Sequence, residues 1–299
     1  MLTALVETDT MTRALVRTCC ALALLALPLG ACGGLADQLQ ADDFAVGALI
    51  KTPDLTNPQD SSKTIPGVTS FQLFFGKIDR SKISLGAGGK QVAAEGAFTG
   101  VAGAIVKLDF HDPTNGDVEI NVPDKGSGQY QIDSQTAERL TYDQTAYTAT
   151  IAYSGQTFTL HVTAPAPTDI KELQAAPDRT ITQTANTPLT ITRTDAAGPG
   201  KNPIAFVNLS SVTGTAKVDA WNNVPKDPFG FLQLVLDDSA WRADSFVIPG
   251  DQFQPNSGYV VTLAEMAQGS ADTATGSTAL FVGSTLLAGV AAGGGVTTK

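Results

Sequence analysis

YTATIAYSGQTFTLHV, residues 147–162, reads as two short strands joined by a tight turn at YSGQT, residues 153–157. Apolar and polar residues alternate through it, and β-branched and aromatic residues dominate. The same texture extends outward in both directions. Upstream, TSFQLFFGKI (69–78), KQVAAEGAF (90–98), GAIVKLDF (103–110), DVEINV (117–122) and GQYQID (128–133) each read as a strand. Asn115-Gly116 lies between two of them and predicts a hairpin through a type I′ turn. Downstream, RTITQT, PLTITRT, IAFVNLS, TAKVDAW, FGFLQLVL, RADSFVI, GYVVTLAEMA and TALFVGSTLL continue the pattern to residue 287. In GYVVTLAEM, Tyr259, Val261 and Leu263 share one face at period two. Short strands at regular spacing with turn residues between them predict an all-β protein of sandwich type.

The chain has 299 residues and divides by composition. TAPAPTD at 163–169 resists both helix and ladder and reads as part of a linker spanning 164–178. It separates a first β-sandwich over 67–163 from a second, Ig-like one over 179–288. Trp221, Trp241, Phe229, Phe231 and Phe246 supply bulk for the second core. About seven strands in some 120 residues is the immunoglobulin-like pattern, without the cysteine pair of antibody domains. Residues 32–66 contain KTPDLTNPQDSSKTIPG and read as a tether with little to bury. Within it, LADQLQADDFAVGAL is open to a short helix. The glycines after 289 read as a frayed tail over 289–299.

Residues 1–31 have the organisation of a secretory signal. From Met11 the chain reads MTRALVR, then TCCALALLALPL, then GAC, with Arg13 and Arg17 as the basic region. Residues 1–10 add Glu7 and Asp9 and no base, so Met11 is the expected start. The apolar run is shorter than the about 20 residues a spanning helix needs. Leu29-Gly30-Ala31-Cys32 resembles the bacterial lipobox. The resemblance implies cleavage before Cys32 and a diacylglycerol on its thiol. Gly33 stands where inner-membrane retention signals carry Asp, which implies the outer membrane or cell surface. Two or three acyl chains give stable anchoring where one does not.

Gly103-Ala104-Ile105-Val106-Lys107-Leu108, then Gly128-Gln129-Tyr130, then Ala146-Tyr147-Thr148-Ala149-Thr150-Ile151 resemble the bacterial transthyretin-like, or carboxypeptidase-regulatory-like, sandwich. The likeness covers residues 90–163 at most. It implies a structural or interaction module and carries over no catalytic residue.

The net charge is −10, and it stays −10 when residues 1–31 are removed. An acidic chain is a poor fit to nucleic acid or anionic lipid surfaces, which are bound through Lys and Arg. Cys19 and Cys20 would leave with the signal and Cys32 would carry lipid. The mature chain would then have no disulfide, and stability must come from core burial.

The search for chemistry is sparse. Neither G-x-S-x-G nor H-E-x-x-H occurs. His161 reads as a half-exposed strand residue, and His111 has Asp112 as its neighbour. Asp109, Asp112, Asn115, Asp117 and Glu119 place five oxygen-bearing side chains within eleven residues. Ca²⁺ takes 6–8 oxygens, but the spacing departs from the EF-hand pattern. A solvated hairpin tip is the preferred reading and a Ca²⁺ site the alternative. Asp237-Asp238 is a similar, weaker case. Carboxylates suited to glycosidase chemistry are too plentiful here to discriminate anything.

Taken together, these features predict a non-catalytic, lipid-anchored envelope lipoprotein with no cofactor and no nucleic-acid partner. It would bind an envelope protein or glycan, with exposed aromatics as anchors. The competing expectation is an envelope hydrolase or carbohydrate-active enzyme, for which a pocket with converging carboxylates or a His–Asp pair would speak. A third is an accessory subunit of an envelope assembly.

Overall fold

The computed structural model describes residues 41–299 apart from 86–90, 199–200, 214–215, 226–229, 232, 235–237, 273–279 and 282. The signal segment, Met11, Leu29, Gly30, Ala31, Cys32 and Asp237 lie outside the described residues.

In chain order the first half carries β1 (Asp43–Lys51), β2 (Leu55–Asn57), β3 (Asp60–Ile65), β4 (Thr69–Ile78), β5 (Ile83–Leu85), β6 (Gln91–Ala93) and β7 (Phe98–Gly100). These are followed by β8 (Ile105–Asp112), β9 (Gly116–Val122), β10 (Asp124–Gly126), β11 (Gln129–Asp133), β12 (Ala146–Tyr153) and β13 (Gln156–Thr163). The second half carries a one-turn helix α1 (Lys171–Gln174), β14 (Thr180–Gln183), β15 (Leu189–Thr192), β16 (Ile204–Thr213) and β17 (Ala216–Asn222). It ends with β18 (Ser245–Ile248), β19 (Gly258–Gln268), β20 (Ser270–Ala271) and β21 (Thr285–Thr298). The chain is all-β.

One 10-stranded sheet organises the molecule, in the order β10-β11-β4-β1-β21-β19-β16-β17, with β14 also on β21 and β7 on β4. A five-stranded sheet, β20-β13-β12-β8-β9, covers part of one face. Ala45, Leu49, Phe71, Leu73, Phe75, Tyr130 and Leu286 from the large sheet meet Val106, Leu108, Ile151, Phe158 and Leu160 from the five-stranded one. Further along the same face, β15, β18 and α1 cover β16, β19 and β21. There Ile170, Leu173, Ile191 and Phe246 pack on Val207, Val261, Leu263 and Val296. Each side chain of this size contributes about 1.5–3 kcal/mol when fully buried.

The opposite face of the large sheet is covered too. Phe44, Val46, Phe74, Phe206, Met266 and Leu287 pack under Phe231, Leu234 and Phe281. The β2–β3 hairpin closes the far end, where Leu55 and Ile65 meet Val212 and Val260. Strands covered on both sides become continuously apolar or small. The burial of β1 and β21 follows that rule, whereas β8, β9, β12 and β13 alternate because their outer face is wet.

Several expectations are corrected here. Residues 43–65 are not a tether: β1 pairs with β4 over nine positions and lies parallel to β21. The helix considered over this segment is a strand from Asp43, because both faces of β1 are buried and no alternation marks it. Residues 289–298 are not a frayed tail but the second half of a central strand. The segment expected as a linker carries α1 and buries Ile170 and Leu173. FGFLQLVL was expected as a strand, yet its described residues 230–231 and 233–234 are helical.

The type I′ turn expected at Asn115-Gly116 is not formed there. Asp112 pairs with Gly116, leaving three loop residues, and only Gly116 has positive φ. This fits a type I turn followed by a left-handed glycine. Pro113 supplies a fixed φ, and Asp112 Oδ1 accepts from the amides of Thr114 and Asn115. The two-residue I′ geometry occurs instead at Ser154-Gly155, with φ of 52° and 76° between paired Tyr153 and Gln156.

Three tyrosines brace the sandwiches from inside. Tyr147 Oη accepts from the Asp143 amide at 2.8 Å and donates to Thr141 O at 3.1 Å. Tyr259 repeats the device in the second half, accepting from the Gln254 amide at 2.7 Å. A strand-initial tyrosine bonded to backbone just upstream is the tyrosine corner of immunoglobulin-like sandwiches. Tyr130 Oη joins Ala104 N and Val101 O, so two of the segments quoted for the transthyretin-like resemblance meet directly.

Candidate functional site

On the face shared by β1, β21, β19 and β16, the two covers leave a cleft of about 380 Å³ between them. Its floor is apolar, formed by Ile50, Phe206, Val260, Ala264 and Ala291. Those side chains point there because even-numbered residues of β1, β16 and β19 face this side. One wall brings Thr52, Val68 and Ser70 from the first half of the chain, and the other brings Lys217 and Asp219 from β17. Pockets of about 300–1,000 Å³ with an apolar lining and a few placed polar groups are the usual form of small-ligand sites.

The polar wall is pre-oriented. Asn208 Nδ2 donates to Asp219 Oδ1 at 3.0 Å, and Ser210 Oγ lies 3.0 Å from the same oxygen and 2.9 Å from Asn208 Oδ1. Asp219 Oδ2 is left without a hydrogen-bond partner among the described residues, and Lys217 without an ion pair. On the facing wall, the Thr52 hydroxyl is engaged with the backbone of Val68. Thr262, opposite Asn208 in the β16–β19 register, adds a hydroxyl at the floor.

None of these residues was singled out from the sequence. A signal was present: Asn208 in IAFVNLS and Thr262 in GYVVTLAEM interrupt apolar runs that would otherwise be continuous. Both are half-buried within otherwise buried stretches. A polar residue at such a position marks a gap in the covering layer.

Of the acidic set on β8 and β9, Asp109, Asp117 and Glu119 line one open concavity of about 300 Å³ on the outer face, and Asp112 and Asn115 do not join them. Asp112 turns inward: Thr141 Oγ1 donates to its Oδ2 at 2.7 Å while the turn amides and the Asn115 side chain occupy Oδ1. The Thr141 bond and the turn amides lower its pKa. Asp109 and Glu119 face each other across the strands on the outer side, where Lys107 bonds Glu119 at 2.9 Å. Partial burial, then the Glu119 charge, raises the Asp109 carboxyl. Asp117 pairs with His111 Nδ1 at 2.8 Å. Among the described residues no group of three or more His, Cys, Asp or Glu is placed to hold a metal ion. Asp238, from the weaker acidic pair, bonds Arg242.

His161 belongs to a line the sequence does not reveal. Thr148 Oγ1 lies 3.0 Å from Nδ1, and Asp272 Oδ1 lies 3.1 Å from Nε2. A hydroxyl, an imidazole and a carboxylate in that order have the connectivity of a nucleophile, base and orienting group. The line runs along an open sheet face, with His161 and Asp272 44% and 51% exposed.

A second concavity, of about 410 Å³, lies where β1 stops pairing with β21 at Val290 and β14 begins at Gly295. Arg179 bridges the gap. Its Nε donates to Gly293 O at 3.2 Å, and its other nitrogens grip Asp169 at 3.1 and 2.5 Å. The Arg179 bond holds the Asp169 carboxyl down at about 2. Asp178 and Arg179 both take positive φ, near 50°, to place this side chain. Strain of that kind needs surrounding contacts to hold it. This concavity is accounted for as a structural tie.

The exposed aromatics expected as anchors are not found among the described residues. The large apolar side chains most open to solvent are Ile105, Val218 and Val247. Trp241 is half-buried and donates its Nε1 proton to Asn223 O at 2.8 Å. Among the described residues no helix is long and apolar enough to cross a membrane.

No protein-family model matches the chain, and no curated protein does. Among solved structures, the FN1–FN3 domains of chicken CNTN1 are similar over 66% of this chain and 72% of that one, at 9% identity and a TM-score of 0.20. A likeness at that score carries no argument, and the fold described above rests on strand order and packing alone.

Proposed function

We propose that this chain is a non-catalytic, lipid-anchored binding module of the cell envelope that takes a partner protein or glycan through the cleft on its large sheet. The cleft carries the reading: a pre-oriented polar wall over an apolar floor, built from strands of both halves. The lipobox resemblance at Cys32 supports the anchor. Capture from detergent-solubilised envelope tests the binding function. The wild-type chain is expected to retain a discrete component that Thr262→Trp, which fills the cleft floor, does not. Equal capture by both chains would contradict it. Labelled palmitate should attach to the wild-type chain and not to Cys32→Ala, and label on the variant would contradict the anchor.

The hydroxyl–imidazole–carboxylate line at Thr148, His161 and Asp272 favours a second reading, an envelope hydrolase. Its open face supplies little of the water exclusion that such chemistry uses. Hydrolysis of an activated ester that is lost in His161→Gln, with the fold intact, would favour this reading over the first.

A further inference from the structure

Resting on the binding-module reading, we propose that the cleft takes an uncharged, hydroxyl-rich ligand, the end of a neutral saccharide. Lys217 and Asp219 stand two residues apart on β17 and both line the cleft, so among the described residues the wall carries no net charge. A cation drawn to Asp219 meets the ammonium of Lys217. An anion drawn to Lys217 meets Asp219 and a chain of net charge −10. A charged ligand would also be desolvated over Phe206, Val260, Ala264 and Ala291 without a full counter-charge, and such burial is costly.

Hydrogen-bond capacity points the same way. Asp219 lines the cleft and is held by Asn208 and Ser210 through Oδ1, which leaves Oδ2 able to accept from a ligand. Asn208 retains a second amide proton, because one is given to Asp219 and an amide NH₂ has two. The opposite wall adds the Ser70 side chain and the floor adds Thr262. A carboxylate acceptor, an amide donor and hydroxyls that both donate and accept match a ligand whose groups are mostly hydroxyls. The apolar floor matches the C–H face of a sugar ring. Extended peptides and zwitterionic amino acids would use Lys217 as well as Asp219, which gives the two classes different signatures.

The test is an array of neutral and acidic oligosaccharides probed with the whole chain, followed by calorimetric titration of the best neutral saccharide. Neutral glycans are expected to bind. Asp219→Asn is expected to weaken the titrated saccharide by about tenfold or more, the usual loss for one charge-assisted hydrogen bond. Val218→Ser, on the opposite side of β17, serves as the fold control and is expected to bind as the wild type does. Ser210→Ala, which loosens Asp219 without touching its charge, is expected to weaken binding less than Asp219→Asn. Binding confined to acidic glycans, binding unaffected by Asp219→Asn, or an array without hits would overturn the proposal. An envelope protein captured by the wild type and lost in Thr262→Trp, together with an array without hits, would overturn the saccharide and leave the binding-module reading standing.

Discussion

Gly294 shows how a single atom decides the centre of this molecule. A Cβ at that position would lie 2.3 Å from Arg179 O and 2.7 Å from a Leu173 methyl. Gly289 and Gly293 are similarly confined, against Glu265 O and Thr262 Cγ2. Gly294→Ala should therefore cost about 3 kcal/mol, the upper end for overpacking a filled core because backbone as well as side chain must give way, measured by denaturant unfolding. Gly155→Ala is the comparison: nothing lies within 4 Å, so only its positive φ is penalised, by about 1 kcal/mol. Equal costs at the two sites would contradict the packing account of β21. The phenol of Tyr147 gives a second residue-scale test. Burial, ahead of the Asp143 and Asp112 charges, pushes its pKa up to about 12. The unfolded value is about 10. The neutral phenol is thus favoured in the fold, and its contribution is complete below pH 10 and is lost as pH rises towards 12. Burial also raises Tyr142 and Tyr130, so phenolate absorbance should show a late phase shared by these tyrosines, and Tyr147→Phe should reduce its amplitude by one phenol. The triple glycine itself was misread from sequence because a run of small residues carries no periodicity. Whether it frays or threads between two layers depends on Leu55, Leu173 and Pro58, which are remote in sequence.

At the scale of elements, legibility follows which faces are wet. The bounds expected for TSFQLFFGKI coincide with β4, and β8, β9, β12 and β13 fall close to their expected positions. β1 escaped because both of its faces are covered and DFAVGALIK alternates in nothing but small against large. The β2–β3 hairpin escaped because two apolar residues, Leu55 and Ile65, suffice to seat it, and Pro, Asp and Ser fill the rest. The segment 164–178 shows the same limit: its prolines mark a break in the ladder but do not reveal that Asp169 fastens Arg179 to β21. That tie makes a prediction in acid. The Asp169 pKa in the fold lies below the unfolded value of about 3.9. Its contribution is therefore complete above about pH 4 and is lost as pH falls towards 2. Asp169→Asn should lower stability at neutral pH and flatten the acid side of the stability profile. An acid profile identical to wild type would show that the pair contributes nothing measurable.

For the whole molecule, the consequential fact is that the first and last strands of the described chain meet. β1 and the first part of β21 lie parallel, while β19 runs antiparallel along the other edge of β21. Ile50, Thr52, Val68 and Ser70 thereby come to face Phe206, Asn208, Ser210 and Asp219. The cleft exists only if the sheet is continuous, and neither half of the chain could form it alone. This also explains why the candidate site was illegible: its residues are scattered from 50 to 291 and no local spacing relates them. Amide hydrogen exchange of the native chain tests the shared sheet most directly. The account predicts that amides of Leu286–Thr297 are among the slowest in the molecule, protected together with Phe44–Ile50. Rapid exchange from residue 289 onward, with β12 and β13 still protected, would contradict it.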